Sequence, residues 1–343
     1  MRVKGAGAAR LAAVVLVVSL TAGACGTKHD DPTPTAPATA SAAPTASGPT
    51  AVPSVTAASQ TPLAAEPISV LLIGMDTTPT GHGASADTLI LVTVDPANGR
   101  AAMFGIPRNM LNLPLPAGAT SAACPGWSTT MIMSVYTYAQ THPNCLPGVK
   151  GYPALEEVVS AITGVQVAGA IAIDLLGFVA VVDKLGGIDI NVPTELRDAS
   201  YPAPEGTGNI VIDIKPGLQH MDGHTALAYA RSRHQDSDYG RMARQQAVLL
   251  ALRRSVSPTS LVSLLPSLQS LVSTDISSGS IQGLVGAVAR VSPCNVKGTE
   301  FIPPAYKAAL DDATVASIKS VVAGALDAAS PSPGASVSPV AGC

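Results

Sequence analysis

Apolar residues along this chain come in short blocks, and the spacing within each block predicts the element it builds. Ile68–Gly74 (ISVLLIG) is a continuous apolar run closed by glycine, the pattern of a buried strand. Leu89–Val94 (LILVTV) and Arg100–Ile106 (RAAMFGI) are two more, joined by DPANGR, where Asn98-Gly99 is a strong hairpin turn. Ala170–Ile173 is a further strand, and Ile188–Val192 (IDINV) alternates as a half-buried strand does. Helical spacing predicts helices over Ser128–Thr141, Ala154–Thr163, Asp222–Arg231, Tyr239–Val256, Leu261–Thr274, Ile281–Val291 and Ala313–Leu326. Asp174 can cap another helix running to Leu185, which Gly186-Gly187 stops. Strands mixed with helices, helices heavier toward the C-terminus, predict the α/β class: an α/β/α sandwich around a mixed central β-sheet, one domain over residues 68–329.

The flanks read differently. Arg2, Lys4 and Arg10 precede an apolar run from Leu11 to Leu20, and small residues lead to Cys25, the plan of an export signal over residues 1–25. The run is shorter than the ~20 apolar residues of a membrane span. Ala22-Gly23-Ala24-Cys25 is similar to a bacterial lipobox, which predicts lipidation of Cys25; an uncleaved anchor helix is the alternative. Either way the bulk of the chain is expected outside the cytoplasmic membrane, on its outer face. Residues 26–67 are dominated by Thr, Ala, Pro and Ser and read as an extended linker, and residues 330–343 share that character. Apart from Cys25, the cysteines are Cys124, Cys145, Cys294 and Cys343. An even number in an exported domain suggests two disulfides; three pairings are possible, and proximity favours Cys124–Cys145 with Cys294–Cys343.

Charge changes the picture at one place. The net charge is −3 with only 20 Lys and Arg residues, yet Arg231, Arg233, Arg241, Arg244, Arg253 and Arg254 fall within 24 positions. Guanidinium forks match phosphate oxygens. Gly240 suggests a turn feeding a helix on which Arg241, Arg244, Gln245 and Val248 share a face, with the helix N-terminus adding free N–H groups. A solvated surface helix with scattered arginines is the competing explanation. The acidic counterpart lies at strand ends: the first strand runs into Gly74-Met75-Asp76, and Asp87-Thr88 opens the second. Two carboxylates at one sheet edge suit Mg²⁺, which takes one or two carboxylates plus substrate phosphates. The third strand ends in Pro107-Arg108-Asn109, adding another arginine.

With these motifs in order, followed by GFVAVVDKLGGIDINVP (Gly177–Pro193), MDGHTALAYARSR and YGRMARQQ, the chain resembles the LytR-CpsA-Psr family of bacterial cell-envelope proteins over about Ile68–Leu252. The resemblance implies an LCP-type catalytic domain. Its activity would be transfer of a glycopolymer from a polyprenyl-pyrophosphate carrier to a peptidoglycan sugar hydroxyl, forming a phosphodiester. It implies Asp76 and Asp87 as Mg²⁺ (or Mn²⁺) ligands, and Arg108, Arg231, Arg233 and Arg241 as pyrophosphate contacts with Gln245 beside them. Asp76, Asp87 and Arg108 would be the catalytic set, and Arg244 is an extra candidate contact. Three positions depart from the family pattern: Ser85-Ala86 replace an Arg-Ser, Asn109 replaces an aspartate, and Met131-Ile132-Met133 stand for a Lys-Ile-Asn.

Phosphoryl transfer needs charge neutralisation and alignment more than covalent chemistry. No base for the acceptor hydroxyl is evident in the sequence. Two other functions remain in view: a catalytically silent envelope protein that binds polyprenyl phosphates or wall polymer, and a polyprenyl pyrophosphatase with water as acceptor. Nucleic acid is not an expected partner, since aromatics are only 3% and the export signal directs the arginines outside the cell.

Overall fold

The computed structural model describes residues 66–77, 84–149, 151–203, 208–233, 235–255, 271–292 and 295–325. The export signal, Cys25, the linker to residue 65, the tail from residue 326 and the Cys294–Cys343 pairing lie outside the described residues. Strands β1 (Ile68–Asp76), β2 (Ser85–Asp95) and β3 (Arg100–Gly105) precede helices α1 (Val135–Thr141) and α2 (Tyr152–Thr163). Then follow β4 (Val167–Asp174), α3 (Leu175–Lys184), β5 (Ile188–Val192), β6 (Leu196–Pro202), β7 (Asn209–Ile214) and β8 (Gly217–Met221). Helices α4 (Gly223–Arg231) and α5 (Asp238–Ser255), strand β9 (Val272–Thr274), α6 (Ser278–Ala289), β10 (Val296–Glu300) and α7 (Asp312–Gly324) complete the order.

The central sheet has strand order β10-β3-β2-β1-β4-β9. β1 pairs antiparallel with β2 and parallel with β4, so the sheet is mixed, as expected. Alternation along β1 sends side chains to two cores. Leu71 and Ile73 join Leu155 and Val159 of α2 and Ile318 of α7 on one face, while Val70 joins Ile281, Leu284 and Val288 of α6 on the other. Ile90 and Met103, with Leu250 of α5, extend that second face. Two layers of helices thus enclose one sheet. Outside it, β5–β8 and β6–β7 form separate antiparallel ribbons.

Caps set the helix starts that position the site. Asp174 accepts from Gly177 N at 2.7 Å and starts α3, and Asp222 accepts from Thr225 N at 2.7 Å and starts α4. The structure differs from expectation at two helices. Only Val135–Thr141 of the Ser128–Thr141 segment is α-helical, because the preceding stretch is tied elsewhere. The Trp127 indole donates to Leu113 O at 2.9 Å, Ile132 N to Met110 O at 3.0 Å and Met133 N to Arg108 O at 3.1 Å, in place of helical bonds. Val272–Thr274, expected at the end of a helix from Leu261, is instead edge strand β9: it pairs antiparallel with β4, and Thr274 Oγ1 donates to Ala170 O at 2.6 Å. The preceding residues 256–270 lie outside the described ones. The Sγ atoms of Cys124 and Cys145 stand 2.11 Å apart.

Candidate functional site

The site begins with a bulge. Gly74 pairs with Thr88 and Met75 with Ala86, so Asp87 is the extra residue of β2. A bulged residue is unpaired and re-aimed, and bulges are frequent beside functional sites. Glycine is required at position 74, since a β-carbon there would come within 2.9 Å of Thr88 Cβ. Asp76, at the end of β1, pairs in register with Ser85, so both carboxylates occupy one end of the β1–β2 pair.

Four arginines meet them. Arg108, just past β3, places Nη1 3.0 Å from Asp87 Oδ1. Arg231, the last residue of α4, places Nη2 3.2 Å from Asp76 Oδ2. From α5, Arg241 Nη2 donates to Asp87 O at 3.3 Å, and Gln245 Nε2 donates to Thr88 Oγ1 at 2.8 Å. Arg233 reaches the same group through Asp238, whose carboxylate touches Arg108, Arg233 and Arg241. Asp76, Asp87, Arg108, Arg231, Arg233, Arg241 and Gln245 are therefore one cluster at one sheet end. The surface-helix explanation does not hold for α5, since Arg241 is 5% exposed and Gln245 and Val248 are buried.

Arg244 is a correction. Spacing places it beside Arg241, but its Nε donates to Tyr229 O at 2.7 Å, and its other nitrogens engage Ser232 O and the Asp236 carboxylate. Its donors tie Ser232 and Asp236 to α5 and do not face the cluster. Gly240 is also placed otherwise than expected. It lies inside the first turn of α5, where a β-carbon would strike the Asp236 carboxylate. Asp238 was not among the sequence candidates. Its signal was an acid opening a helix between arginines at positions 233 and 241.

A cavity of about 340 Å³ opens from the cluster. Asp87, Thr88, Arg231, Arg233, Arg241 and Gln245 line one part. Most of the rest is apolar, with Leu72, Ile90 and Ile171 of the sheet facing Phe178 of α3 and Leu249 and Leu252 of α5, while Asp174, Asp198, Ser200 and Ser232 add polar points to the wall. Tyr201 of β6 closes one wall, its hydroxyl bonded to Arg231; burial pushes its pKa up, and Arg231 opposes the shift.

Electrostatics set what the cluster can hold. Burial, reinforced by Arg108, pushes Arg241 down to about 10, while Asp238 and Asp87 oppose the shift, so it remains a cation at neutral pH. Burial raises the Asp238 carboxyl, but Arg241, Arg108 and Arg233 outweigh it and hold the group below the usual range. Arg241 Nε is buried with no partner, a donor left over for a ligand oxygen. Among the described residues no group of three or more His, Cys, Asp and Glu could cage a metal. Asp76 and Asp87 are instead a two-carboxylate set, suited to Mg²⁺ only when a phosphate supplies further oxygens.

Comparison with known proteins places the chain in a family. The LytR_cpsA_psr family model matches residues 36–316, and the chain belongs to that family. It is 32% identical over 198 residues to the polyisoprenyl-teichoic acid–peptidoglycan teichoic acid transferase TagV of Bacillus subtilis, covering 57% of this chain and 45% of TagV. It is 27% identical over 217 residues to TagU of Bacillus cereus, a transferase of the same name, covering 62% of this chain and 61% of TagU. The chain thus spans about half the length of these relatives. The crystal structure of B. subtilis TagV superposes with a TM-score of 0.57 at 25% identity, covering 77% of this chain and 98% of that one. A structure of TagT bound to LIIa-WTA shares the fold, with a TM-score of 0.52 at 22% identity over 76% of this chain and 91% of that one. Among the described residues no helix is long and apolar enough to cross a membrane.

Proposed function

We propose that the protein transfers a glycopolymer from a polyprenyl-pyrophosphate carrier to a peptidoglycan hydroxyl, in the cell envelope and with Mg²⁺. The observation that carries this reading is one cavity with two chemistries: an apolar length that ends at Arg231, Arg233, Arg241 and Asp87, with Arg108 and Asp76 paired to that end. A cavity of about 150 Å³ holds benzene. The 340 Å³ here is shared between the charged end and the apolar end, so the apolar part suits on the order of ten carbons or fewer, the leading isoprene units of a polyprenyl tail. The names of TagV and TagU specify a polyisoprenyl-linked teichoic acid and peptidoglycan, which supports a lipid-linked polymer as donor and peptidoglycan as acceptor.

Charge balance favours a metal-bound diphosphate over a bare one. Arg108, Arg231, Arg233 and Arg241 face Asp76, Asp87 and Asp238, and the nearest cations are already paired with carboxylates. Mg²⁺ held by Asp76 and Asp87 would neutralise developing charge on the phosphates. Arg108 and Arg231, now paired with Asp87 and Asp76, would be free to turn to phosphate oxygens once those carboxylates held the metal, with Arg241 and Arg233 beside them in the clamp. The acceptor hydroxyl oxygen bonds to the sugar-side phosphorus, and the bond from that phosphorus to the bridging oxygen breaks. Polyprenyl phosphate leaves with that electron pair, and the hydroxyl proton passes to solvent. The apolar walls hold the tail, so the leaving phosphate stays aligned.

The test is incubation of the purified protein with a polyprenyl-pyrophosphate-linked sugar and a peptidoglycan acceptor, with and without Mg²⁺, following polyprenyl phosphate and the joined product. Metal-dependent formation of both is expected, with loss of turnover in Asp87→Ala. Polyprenyl phosphate released without a joined product indicates a pyrophosphatase. One observation favours a silent binder, namely that Asp76 and Asp87 are both engaged by arginines. Tight binding with no turnover in Mg²⁺ or Mn²⁺ would decide for it.

A further inference from the structure

Asp238 is the first residue of α5 and touches three arginines from three places in the chain. Its Oδ2 lies 3.3 Å from Arg108 Nε, and its Oδ1 lies 3.4 Å from Arg233 Nη1 and 3.5 Å from Arg241 Nη1. The three cations are not equally held. The Arg241 side chain is 6% exposed and also donates to Asp87 O, and Arg108 also pairs with Asp87. The Arg233 side chain is 51% exposed, and among the described residues Asp238 is its one ion-pair partner. Without this carboxylate, repulsion from its neighbours and the entropy of a long exposed side chain would both carry Arg233 toward solvent.

We propose that Asp238 is the positioning residue of the anion site, fixing Arg233 in the cluster while leaving the guanidinium donors available to a diphosphate. This rests on the reading that the site takes a diphosphate. The opposite role is also physically conceivable: a resident carboxylate that competes with the ligand for the same donors. Contact geometry decides between them. Each contact engages one nitrogen of a guanidinium that carries five N–H donors, and each is longer than the ~2.7–2.9 Å of a tight charge-assisted bond. Most donors are thus not consumed, and the buried Arg241 Nε has no partner at all. Asp238 orients the cations more than it occupies them.

The test is calorimetric titration of the full chain with inorganic pyrophosphate in Mg²⁺ buffer. It compares the natural protein with Asp238→Ala, Arg233→Ala, the double variant and Asp238→Glu. Each single alanine variant should weaken binding roughly tenfold, the loss of one charge-assisted contact. The double variant should be no weaker than Arg233→Ala alone, because both act through one guanidinium. Asp238→Glu should recover part of the affinity. Unchanged or tighter binding in Asp238→Ala makes Asp238 a competitor and overturns the proposal. Multiplied losses, roughly a hundredfold in the double variant, also overturn it, since Asp238 would then act apart from Arg233. Thermal unfolding of each variant guards against loss of fold, and Asp238→Asn, which keeps the side-chain volume, replaces the alanine if it unfolds. No binding by the natural protein would sink the diphosphate reading itself, and the proposal with it, before any variant is made.

Discussion

Replacing Arg244 with alanine separates two roles for an arginine that the sequence alone confuses. In the structure Arg244 is buried, donates to the Tyr229 and Ser232 carbonyls, and pairs with Asp236. Hydrogen bonds to charged groups contribute about 1.5–3 kcal/mol each, and removing one member of a buried pair costs about 3–5 kcal/mol. Asp236 is 35% exposed and can rehydrate, which lowers the cost to about 3–4 kcal/mol. For a domain of this size that corresponds to a fall of roughly 6–16 °C in the midpoint of thermal unfolding. Arg244→Lys keeps the charge but not the fork, and should lose nearly as much. Scanning calorimetry reads the midpoint, and pyrophosphate titration on the still-folded variant reads the site. A midpoint unchanged within about 1 °C, together with a roughly tenfold loss of affinity, would refute this structural role and return Arg244 to the ligand contacts.

The remaining predictions are more local. Replacing both Cys124 and Cys145 with serine should destabilise the domain by about 3 kcal/mol, given a separation of 21 residues, and denaturant unfolding under reducing and oxidising conditions checks this. Burial, with Asp275 alongside, raises the Glu156 carboxyl to about 8, so the folded protein holds a proton that the unfolded chain releases near 4.5. This group makes stability fall as pH rises from about 4.5 to about 8, and Glu156→Gln should flatten that slope and add about 1–2 kcal/mol above pH 8, discounted for partial exposure. Leu249→Trp, which fills the apolar cavity, should abolish polyprenyl phosphate binding while inorganic pyrophosphate titrates as before. Equal loss of both ligands would show that the cavity and the arginines are not separable.

Much of this arrangement was legible because its elements carry strong local signals. The apolar runs of β1–β3, the Asn98-Gly99 turn and the Asp174 cap each predict their element from neighbouring residues alone. What was missed depends on distant partners. β10 (VKGTE) has one large apolar residue and is a strand because it pairs in parallel with β3. β6 is interrupted by a bulge between Asp198 and Tyr201, which breaks its alternation, and its register is set by β7. In the site, the clustering of Asp76, Asp87 and the arginines was foreshadowed by strand ends and by charge density. Arg244 was misjudged and Asp238 overlooked for one reason. Helical spacing gives the face on which a side chain starts, but the Tyr229 carbonyl and the Arg108 side chain that receive them come from elsewhere in the chain.

Helix α5 carries Arg241 and Gln245 in the turns before Val248, Leu249 and Leu252, and all five line the same cavity. A single rigid rod therefore sets the span between the charged end and the greasy end. Only a molecule with both ends in that proportion fills the whole length. A water-soluble sugar diphosphate would satisfy the arginines and leave the apolar half wet. At about 0.8 kcal/mol for each buried methylene, four carbons in that half already favour the lipid-linked form by roughly a hundredfold. On the proposed reading the helix would act as a gauge for amphiphiles, ranking a lipid-linked diphosphate above a soluble one without a side chain dedicated to that choice.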